Sequence, residues 1–392
     1  MATIMDYLEW RGDVPLDTAG INDADRYVIA KFGMLDYDGI LPEDGTYVPA
    51  GEAVRRALEA GAAKELGTVT SPRVLPALEL AGKSRRFGEL LLSGYRLHVA
   101  PEENEQFSAV TVRIPGGRHF VTFRGTDDTL VGWKEDLLMS VLSRTPAQAD
   151  AVKYLRWALE TYPGTLEVCG HSKGGNLSIC AAASVEPAEQ QRIGRIINYD
   201  GPGFSEEFLA SESYRRIRDR VEIIVPENAM VGTLLYRDTP CRIVRSTVGM
   251  GSAHDGFTWA VTPRDGFVPA EGFSPASRAF DKTMKEMLEG RTPEQHSAFI
   301  EALFGTLTAA GARTVTDITE QKMREIIRTA RNLNQDPEVH SWIMDVLEGL
   351  MQSYVAEKRR DLARLPFLDS LLRKKQEEAP PEPEEKTEEN WY

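Results

Sequence analysis

The chain has 392 residues and a formal net charge of −14, of which residues 376–392 contribute −6 through seven glutamates and one lysine. The remainder carries −14 minus −6, or −8, and has no basic stripe, so neither nucleic acid nor an anionic membrane is expected as a partner. The three cysteines have no framework spacing and predict a reducing compartment.

The N-terminus and the apolar runs bear on where the protein resides. Charged residues between positions 6 and 13 interrupt any apolar secretory segment, and no run approaches the roughly 18 apolar residues of a membrane span. We therefore predict a cytoplasmic protein without stable membrane insertion. No metal and no cofactor are expected, because the chain has neither metal-ligand spacing nor a phosphate-binding glycine loop.

The elements alternate in a recognisable order along the chain. Residues 1–80 have the pattern of mixed helices, with a helix start at Asn22, and three strands and an amphipathic helix follow. From Thr165 onward strands alternate with helices, which is typical of a parallel sheet, and after about residue 275 the pattern is helical only. The early strands are predicted at 95–99, 107–114 and 118–123, the amphipathic helix at 146–162, and the late helices at 277–288, 293–310, 320–333 and 337–365.

The segment Gly-His-Ser-Lys-Gly at 170–174 lies where a short apolar strand meets a helix of small residues. Such spacing places Ser172 on a tight strand-to-helix turn, with its hydroxyl above the edge of the sheet. The N-terminus of the following helix then faces any anion that forms beside the serine. We interpret Ser172 as an activated nucleophile, the alternative being a structural turn.

A nucleophilic serine needs a base, which in sheets of this type follows it in the chain. His98 and His119 precede Ser172, His171 adjoins it, and His296 and His340 lie in helical sequence. His254 remains, in a glycine-rich loop after the predicted strand at 241–246, and is the predicted base.

Two residues compete for the acid that orients the base. Asp200 ends a predicted strand and opens Gly-Pro-Gly, so it falls at the same edge of the sheet as Ser172. Glu227 follows the next strand. We rank Asp200 first and Glu227 second, and the alternative for Asp200 is an aspartate that caps its turn.

Two backbone donors are expected for the oxyanion. One is the N–H group of Lys173, directly after the nucleophile, and the other is Thr126, in the loop after the predicted strand at 118–123. The Lys173 side chain has three alternative roles: it stabilises the oxyanion, it recognises an anionic group of the substrate, or its stem covers apolar surface and points to solvent.

Three segments of the chain resemble the fungal-type, class 3 triglyceride lipases: Phe-Arg-Gly-Thr at 123–126, Trp-Lys-Glu-Asp-Leu at 133–137 and Gly-His-Ser-Lys-Gly-Gly at 170–175. The chain resembles more closely the Mbeg-like proteins, a bacterial α/β-hydrolase family of unknown function. That resemblance adds residues 7–13, 198–204 and 254–259, and it spans the chain from residue 5 to about 262.

The resemblance implies an α/β-hydrolase fold with Ser172 as nucleophile, His254 as base, Thr126 as the oxyanion threonine and Asp136 as a support of the Thr126 loop. The chain departs from the lipases in two places. Lys173 stands where lipases carry an apolar residue, and no aspartate follows the strand that ends near 225, where fungal-type lipases place the acid. Pancreatic-type lipases place it where Asp200 stands.

We therefore predict an α/β-hydrolase domain at 1–275 with an N-terminal helical segment at 1–80, a helical extension at 276–375 and a disordered acidic tail at 376–392. The predicted function is a serine hydrolase that cleaves carboxylic, lipase- or esterase-like esters through an acyl-enzyme, with a small-molecule acyl ester as its substrate. The alternative is a catalytically lapsed α/β-hydrolase that binds a ligand or a protein partner.

Overall fold

In the computed structural model the chain divides into two compact units, Met1–Asp317 and Ile318–Tyr392. The boundary predicted near residue 275 stays a prediction. The structure describes residues 1–61, 71–100, 105–126, 130–139, 144–249, 252–288, 292–313, 320–332, 337, 339–344 and 347.

The first unit is built on an eight-stranded sheet whose strands follow their chain order from one edge to the other. Neighbouring strands are antiparallel from the first to the fourth and parallel from the fourth to the eighth. The mostly parallel sheet predicted from the sequence is thus confirmed. The strands are β1 Val48–Pro49, β2 Leu91–Ala100, β3 Glu105–Arg113, β4 His119–Phe123, β5 Leu166–His171, β6 Ile193–Tyr199, β7 Val221–Pro226 and β8 Cys241–Val244, and a separate hairpin joins β9 Val261–Thr262 to β10 Gly266–Phe267.

Helices cover the sheet on both faces. The described helices of the first unit are α1 Ile4–Arg11, α2 Asp23–Lys31, α3 Ala50–Ala60, α4 Val74–Lys83, α5 Leu130–Leu138, α6 Pro146–Thr161, α7 Lys173–Ser184, α8 Pro187–Gln190, α9 Glu206–Ala210, α10 Glu212–Arg215, α11 Pro275–Leu288 and α12 Pro293–Ala309. The second unit contains α13 Glu320–Asn332.

The two faces of the sheet have separate hydrophobic cores. One core joins the sheet to α1–α4 and the other joins it to α6 and α7. Val168 and Cys169 are neighbours in β5, yet they lie in different cores because successive side chains of a strand point to opposite faces. All residues of β4 and β5 are buried, as expected for strands that helices cover on both sides.

Sequence signals account for the helix starts. Asn22 caps α2 and shares a reciprocal capping box with Asp25, which confirms the start predicted there. Thr145 and Gln148 form the same box before α6, and Pro146 occupies its first turn.

The late part of the chain is helical in its described residues, since α11, α12 and α13 lie close to their predicted positions. Most of the predicted helix at 337–365 and the whole tail at 376–392 lie outside the described residues. None of the helices in the described part of the chain has the length and hydrophobicity of a membrane span.

Candidate active site

The turn between β5 and α7 holds Ser172 in a backbone conformation that residues other than glycine rarely adopt, with φ 58° and ψ −132°. The turn is tight enough to require its glycines. A Cβ on Gly174 would lie 2.1 Å from the carbonyl oxygen of Phe123, and one on Gly170 would lie 2.2 Å from the carbonyl carbon of Gly174. Such backbone strain persists only where the surrounding structure enforces it. The packing around this turn therefore holds Ser172 in a fixed and strained position, as is typical of a nucleophile turn.

The structure brings Ser172, His254 and Asp200 into one hydrogen-bonded chain. The Oγ of Ser172 lies 2.9 Å from His254 Nε2, and His254 Nδ1 lies 2.7 Å from Asp200 Oδ2. When Nδ1 carries the proton and donates to the carboxylate, Nε2 accepts from the serine hydroxyl. This is the arrangement in which a base can remove the serine proton.

Asp200 is fully buried and is held by the backbone around it. Its Oδ1 accepts a hydrogen bond of 3.1 Å from the N–H group of Gly232, and a Cβ on Gly232 would lie only 2.1 Å from that oxygen. Burial raises the pKa of Asp200, and the bond from His254 acts in the opposite direction. Asp200 also has a positive φ of 49°, so the acid, like the nucleophile, lies on a strained turn.

Glu227, the second-ranked acid, forms hydrogen bonds with backbone groups and not with His254. Its Oε1 accepts from the backbone N–H of Ser246 at 3.1 Å, and its carbonyl accepts from the N–H of Ser274 at 2.7 Å. The structure therefore places Asp200, and not Glu227, beside His254.

The loop that carries His254 is held by His171, which its position beside Ser172 makes unsuitable as the base. Its Nε2–H donates to the carbonyl oxygen of His254 at 2.7 Å. Burial lowers the pKa of His171 well below its ordinary value, so the ring is neutral and one nitrogen carries the proton. Trp259 Nε1 also donates to the carbonyl of Ala253 at 2.8 Å. The Gly-His-Ser order was the available signal, because it puts His171 next to the nucleophile.

The predicted oxyanion loop lies against the nucleophile. A Cβ on Gly125 would lie 3.3 Å from the Cβ of Ser172, so the loop passes directly beside it. The hydroxyl of Thr126 donates to Asp136 Oδ2 at 2.7 Å, which matches the support that the lipase resemblance implied. Burial raises the pKa of Asp136 to about 6, while the charge of Lys173 and the bond from Thr126 act against that rise.

The side chain of Lys173 does not point to solvent, so that alternative is wrong. It is 1% exposed and donates to Glu135 Oε2 at 2.9 Å and to the carbonyl of Gln106 at 2.8 Å. Glu135, which is equally buried, also accepts from the backbone N–H of Ala147 at 3.1 Å. The ammonium is thus neutralised inside the protein, where it is not offered to a substrate.

A family model described as Mbeg1-like matches residues 81–305. Among solved structures, M37 lipase is 17% identical with a TM-score of 0.32, over 42% of this chain and 64% of that protein, so the chain spans less than two thirds of its length. The Rhizomucor miehei lipase propeptide complex is 13% identical with a TM-score of 0.35, over 61% of this chain and 79% of the other. A fungal lipase–inhibitor complex is 12% identical with a TM-score of 0.30, over 57% and 80%. No curated protein matches the chain. These values are too low to carry an activity over to this protein.

Proposed function

The chain belongs to the Mbeg1-like family, and we propose that it is a serine hydrolase that cleaves carboxylic esters through an acyl-enzyme. One observation carries the proposal: the hydrogen-bonded chain from Ser172 through His254 to Asp200, which starts on a strained strand-to-helix turn. A structural turn needs neither the base nor the buried acid behind it.

In the proposed reaction His254 Nε2 takes the proton of Ser172 as Oγ attacks the ester carbonyl. Asp200 keeps the imidazole in the tautomer that accepts this proton and stabilises the imidazolium that forms. The negative charge of the tetrahedral intermediate lies between the N–H groups of Lys173 and Thr126, at the N-terminus of α7. The alcohol leaves with the proton from His254, and water then releases the acid from Ser172 by the same steps in reverse.

The experiment is a hydrolysis assay on p-nitrophenyl esters of increasing acyl length. The wild-type protein should turn over at least one of them, and Ser172→Ala should fall to the background rate. In a serine protease, removal of the nucleophilic serine lowers kcat by a factor of order 10⁶. Ser184→Ala, at the far end of α7, is the matched control and should retain activity. If the folded wild-type protein hydrolyses none of the esters, the proposal is wrong and the ligand-binding alternative is favoured.

A further inference from the structure

The end of β2 and the start of β3 carry a histidine and a glutamate on the face of the sheet that α6 covers. His98 is paired with Phe107, and Glu105 lies two residues before Phe107, so these three side chains share one face. The Phe107 ring lies 6.3 Å from that of Tyr154 in α6. Asp150 precedes Tyr154 by one turn of the helix, on the same side. The fold therefore brings residues of three elements to one place.

Three possible metal ligands converge there. His98 Nδ1 lies 3.0 Å from Asp150 Oδ2 and 3.3 Å from Glu105 Oε2. A ligand atom from each of the three residues lies within 4.8 Å of the other two. Adjacent ligands of an octahedral ion with bonds of about 2.1 Å lie about 3 Å apart, and those of a tetrahedral zinc ion slightly farther. The side chains thus have nearly the spacing of ligands around one cation.

Glu105 is the most enclosed of the three and receives the fewest hydrogen bonds. Its side chain is 4% exposed, and its Oε1 is enclosed without a hydrogen-bond partner. When His98 Nδ1 carries a proton, that one N–H group is divided between Glu105 and Asp150. The two carboxyl groups are also in hydrogen-bonding range of each other, and two carboxylates have no donor between them. A positive charge must lie between them, either a shared proton or a metal ion.

A second buried carboxylate shows how the same fold neutralises an acid with a structural role. The Oδ1 of Asp25 accepts from Arg86 Nε at 2.6 Å and from the Tyr7 hydroxyl at 2.7 Å. Its Oδ2 accepts from Arg86 Nη2 at 2.6 Å and from the backbone N–H of Asn22 at 2.9 Å. In the described part of the chain no arginine or lysine forms an ion pair with Glu105. The protein therefore supplies Asp25 with a counter-charge and Glu105 with none of comparable strength.

We propose that His98, Glu105 and Asp150 bind a divalent cation, Zn²⁺ or Mn²⁺, that ties the ends of β2 and β3 to α6. Two carboxylates and a neutral imidazole balance the charge of such an ion. Imidazole favours zinc and carboxylate favours manganese, so the mixed set fits these two better than Ca²⁺ or Mg²⁺. The His98 side chain is 55% exposed, which gives the ion a path from solvent. The ligands come from separate elements, so no short spacing in the sequence marks them.

The role of the cation is structural. Gln106 follows Glu105, and its carbonyl accepts from Lys173 Nζ at 2.8 Å while its N–H group donates to Glu135 Oε2 at 3.3 Å. The site thus adjoins the buried ion pair of Lys173 with Glu135, behind the turn that carries Ser172. None of its three ligands belongs to the proposed catalytic groups, so the site does not depend on the proposed function.

The test is calorimetric titration of the full-length protein, first stripped with EDTA, with the chlorides of Zn²⁺, Mn²⁺, Ca²⁺ and Mg²⁺ in separate runs. We expect one Zn²⁺ or Mn²⁺ per chain with a Kd below about 10 μM, and weaker binding of Ca²⁺ and Mg²⁺. Glu105→Gln keeps the shape of the ligand and removes its charge, so it should weaken binding more than about 100-fold, the upper range for groups that only support a ligand. His254→Gln, which removes the imidazole of the proposed active site, is the control and should keep the binding.

A Kd weaker than about 10 μM for both Zn²⁺ and Mn²⁺ would overturn the proposal, and a shared proton would then be the charge between the carboxyl groups. Binding that survives in Glu105→Gln and is lost in His254→Gln would also overturn it, because the ion would then occupy the proposed active site.

A second measurement needs no variant and is unaffected if Glu105→Gln fails to fold. Crystals of the wild-type protein soaked in Zn²⁺ or Mn²⁺ should show an anomalous difference peak about 2.0–2.2 Å from one ligand atom of each of the three residues. The absence of a peak at this position, with either ion, would contradict the site.

Discussion

Buried carboxylates anchor the Ser172 turn from two sides, and the two sides differ in how completely they are closed. On one side Asp200 holds His254, whose side chain is 22% exposed and ends at the serine hydroxyl. On the other side, neighbouring residues of α5 act together: Glu135 pairs with Lys173, and Asp136 accepts from Thr126. The ion pair of Glu135 with Lys173 is almost completely enclosed.

Groups on the open side can transfer a proton, whereas groups on the closed side hold the backbone of the turn in place. The open side ends in the Ser172 hydroxyl and the partly exposed His254 imidazole, the two groups that we propose act on the ester. The closed side connects the two residues whose N–H groups we propose as oxyanion donors, Lys173 and Thr126, to adjacent positions on one helix. We therefore expect changes on the open side to affect the rate most, and changes on the closed side to affect stability first.

Among the carboxylates that anchor the turn, the largest effect is expected at Asp200. Asp200→Asn keeps the shape of the side chain but favours the wrong histidine tautomer, for which a loss of about 10⁴ in kcat is the precedent, or about 5 kcal/mol of transition-state stabilisation. Glu227→Gln is the control and should retain most activity, because Glu227 binds the backbone of Ser246. Steady-state rates on one ester settle the comparison, and a dead Glu227→Gln with an active Asp200→Asn would reverse our ranking.

The next effect concerns the buried ion pair on the closed side. Glu135→Gln leaves the Lys173 ammonium enclosed without a counter-charge, and breaking such a pair typically costs about 3–5 kcal/mol. The double variant Glu135→Gln with Lys173→Met should recover most of the free energy of unfolding measured in urea, because no unpaired charge remains. If Glu135→Gln lowers the free energy of unfolding by less than about 1 kcal/mol, as at a surface ion pair, the pair does not hold the turn in place.

The smallest effect is a dependence on pH that arises at Asp136. Its folded-state pKa of about 6 lies above the ordinary value near 4, so its contribution to stability is fully present below about pH 4 and is lost as pH rises through about 6. Asp136→Asn lacks this loss. The melting temperature of the variant relative to wild type should therefore be higher at pH 7.5 than at pH 4.5, and a difference that is independent of pH would contradict the raised pKa.

The sequence predicted those parts of the site that depend on local pattern and chain order. Ser172 follows from glycines placed between a strand and a helix, and His254 from being the histidine in a loop after a later strand. The sheet was predictable for the same reason, since strands alternate with helices from Thr165 onward. These signals need no knowledge of which distant residues meet.

The remaining parts depend on contacts between distant segments. Asp200 and Glu227 follow neighbouring parallel strands, and contacts with distant segments distinguish them: Asp200 binds the His254 ring, whereas Glu227 binds the backbone of Ser246. Nothing near Lys173 in the chain indicates that Glu135 neutralises it, and the bond from His171 to the carbonyl of His254 is a contact across 83 residues.

The central claim, that Ser172 is an activated nucleophile, is tested most directly with an alkyl fluorophosphonate, which reacts with an activated serine hydroxyl. We expect the folded wild-type protein to gain one phosphonyl group, located by mass spectrometry on the peptide that contains Ser172, and Ser172→Ala to gain none. A wild-type protein that stays unlabelled, or an alanine variant that is labelled as fast as wild type, would contradict the claim.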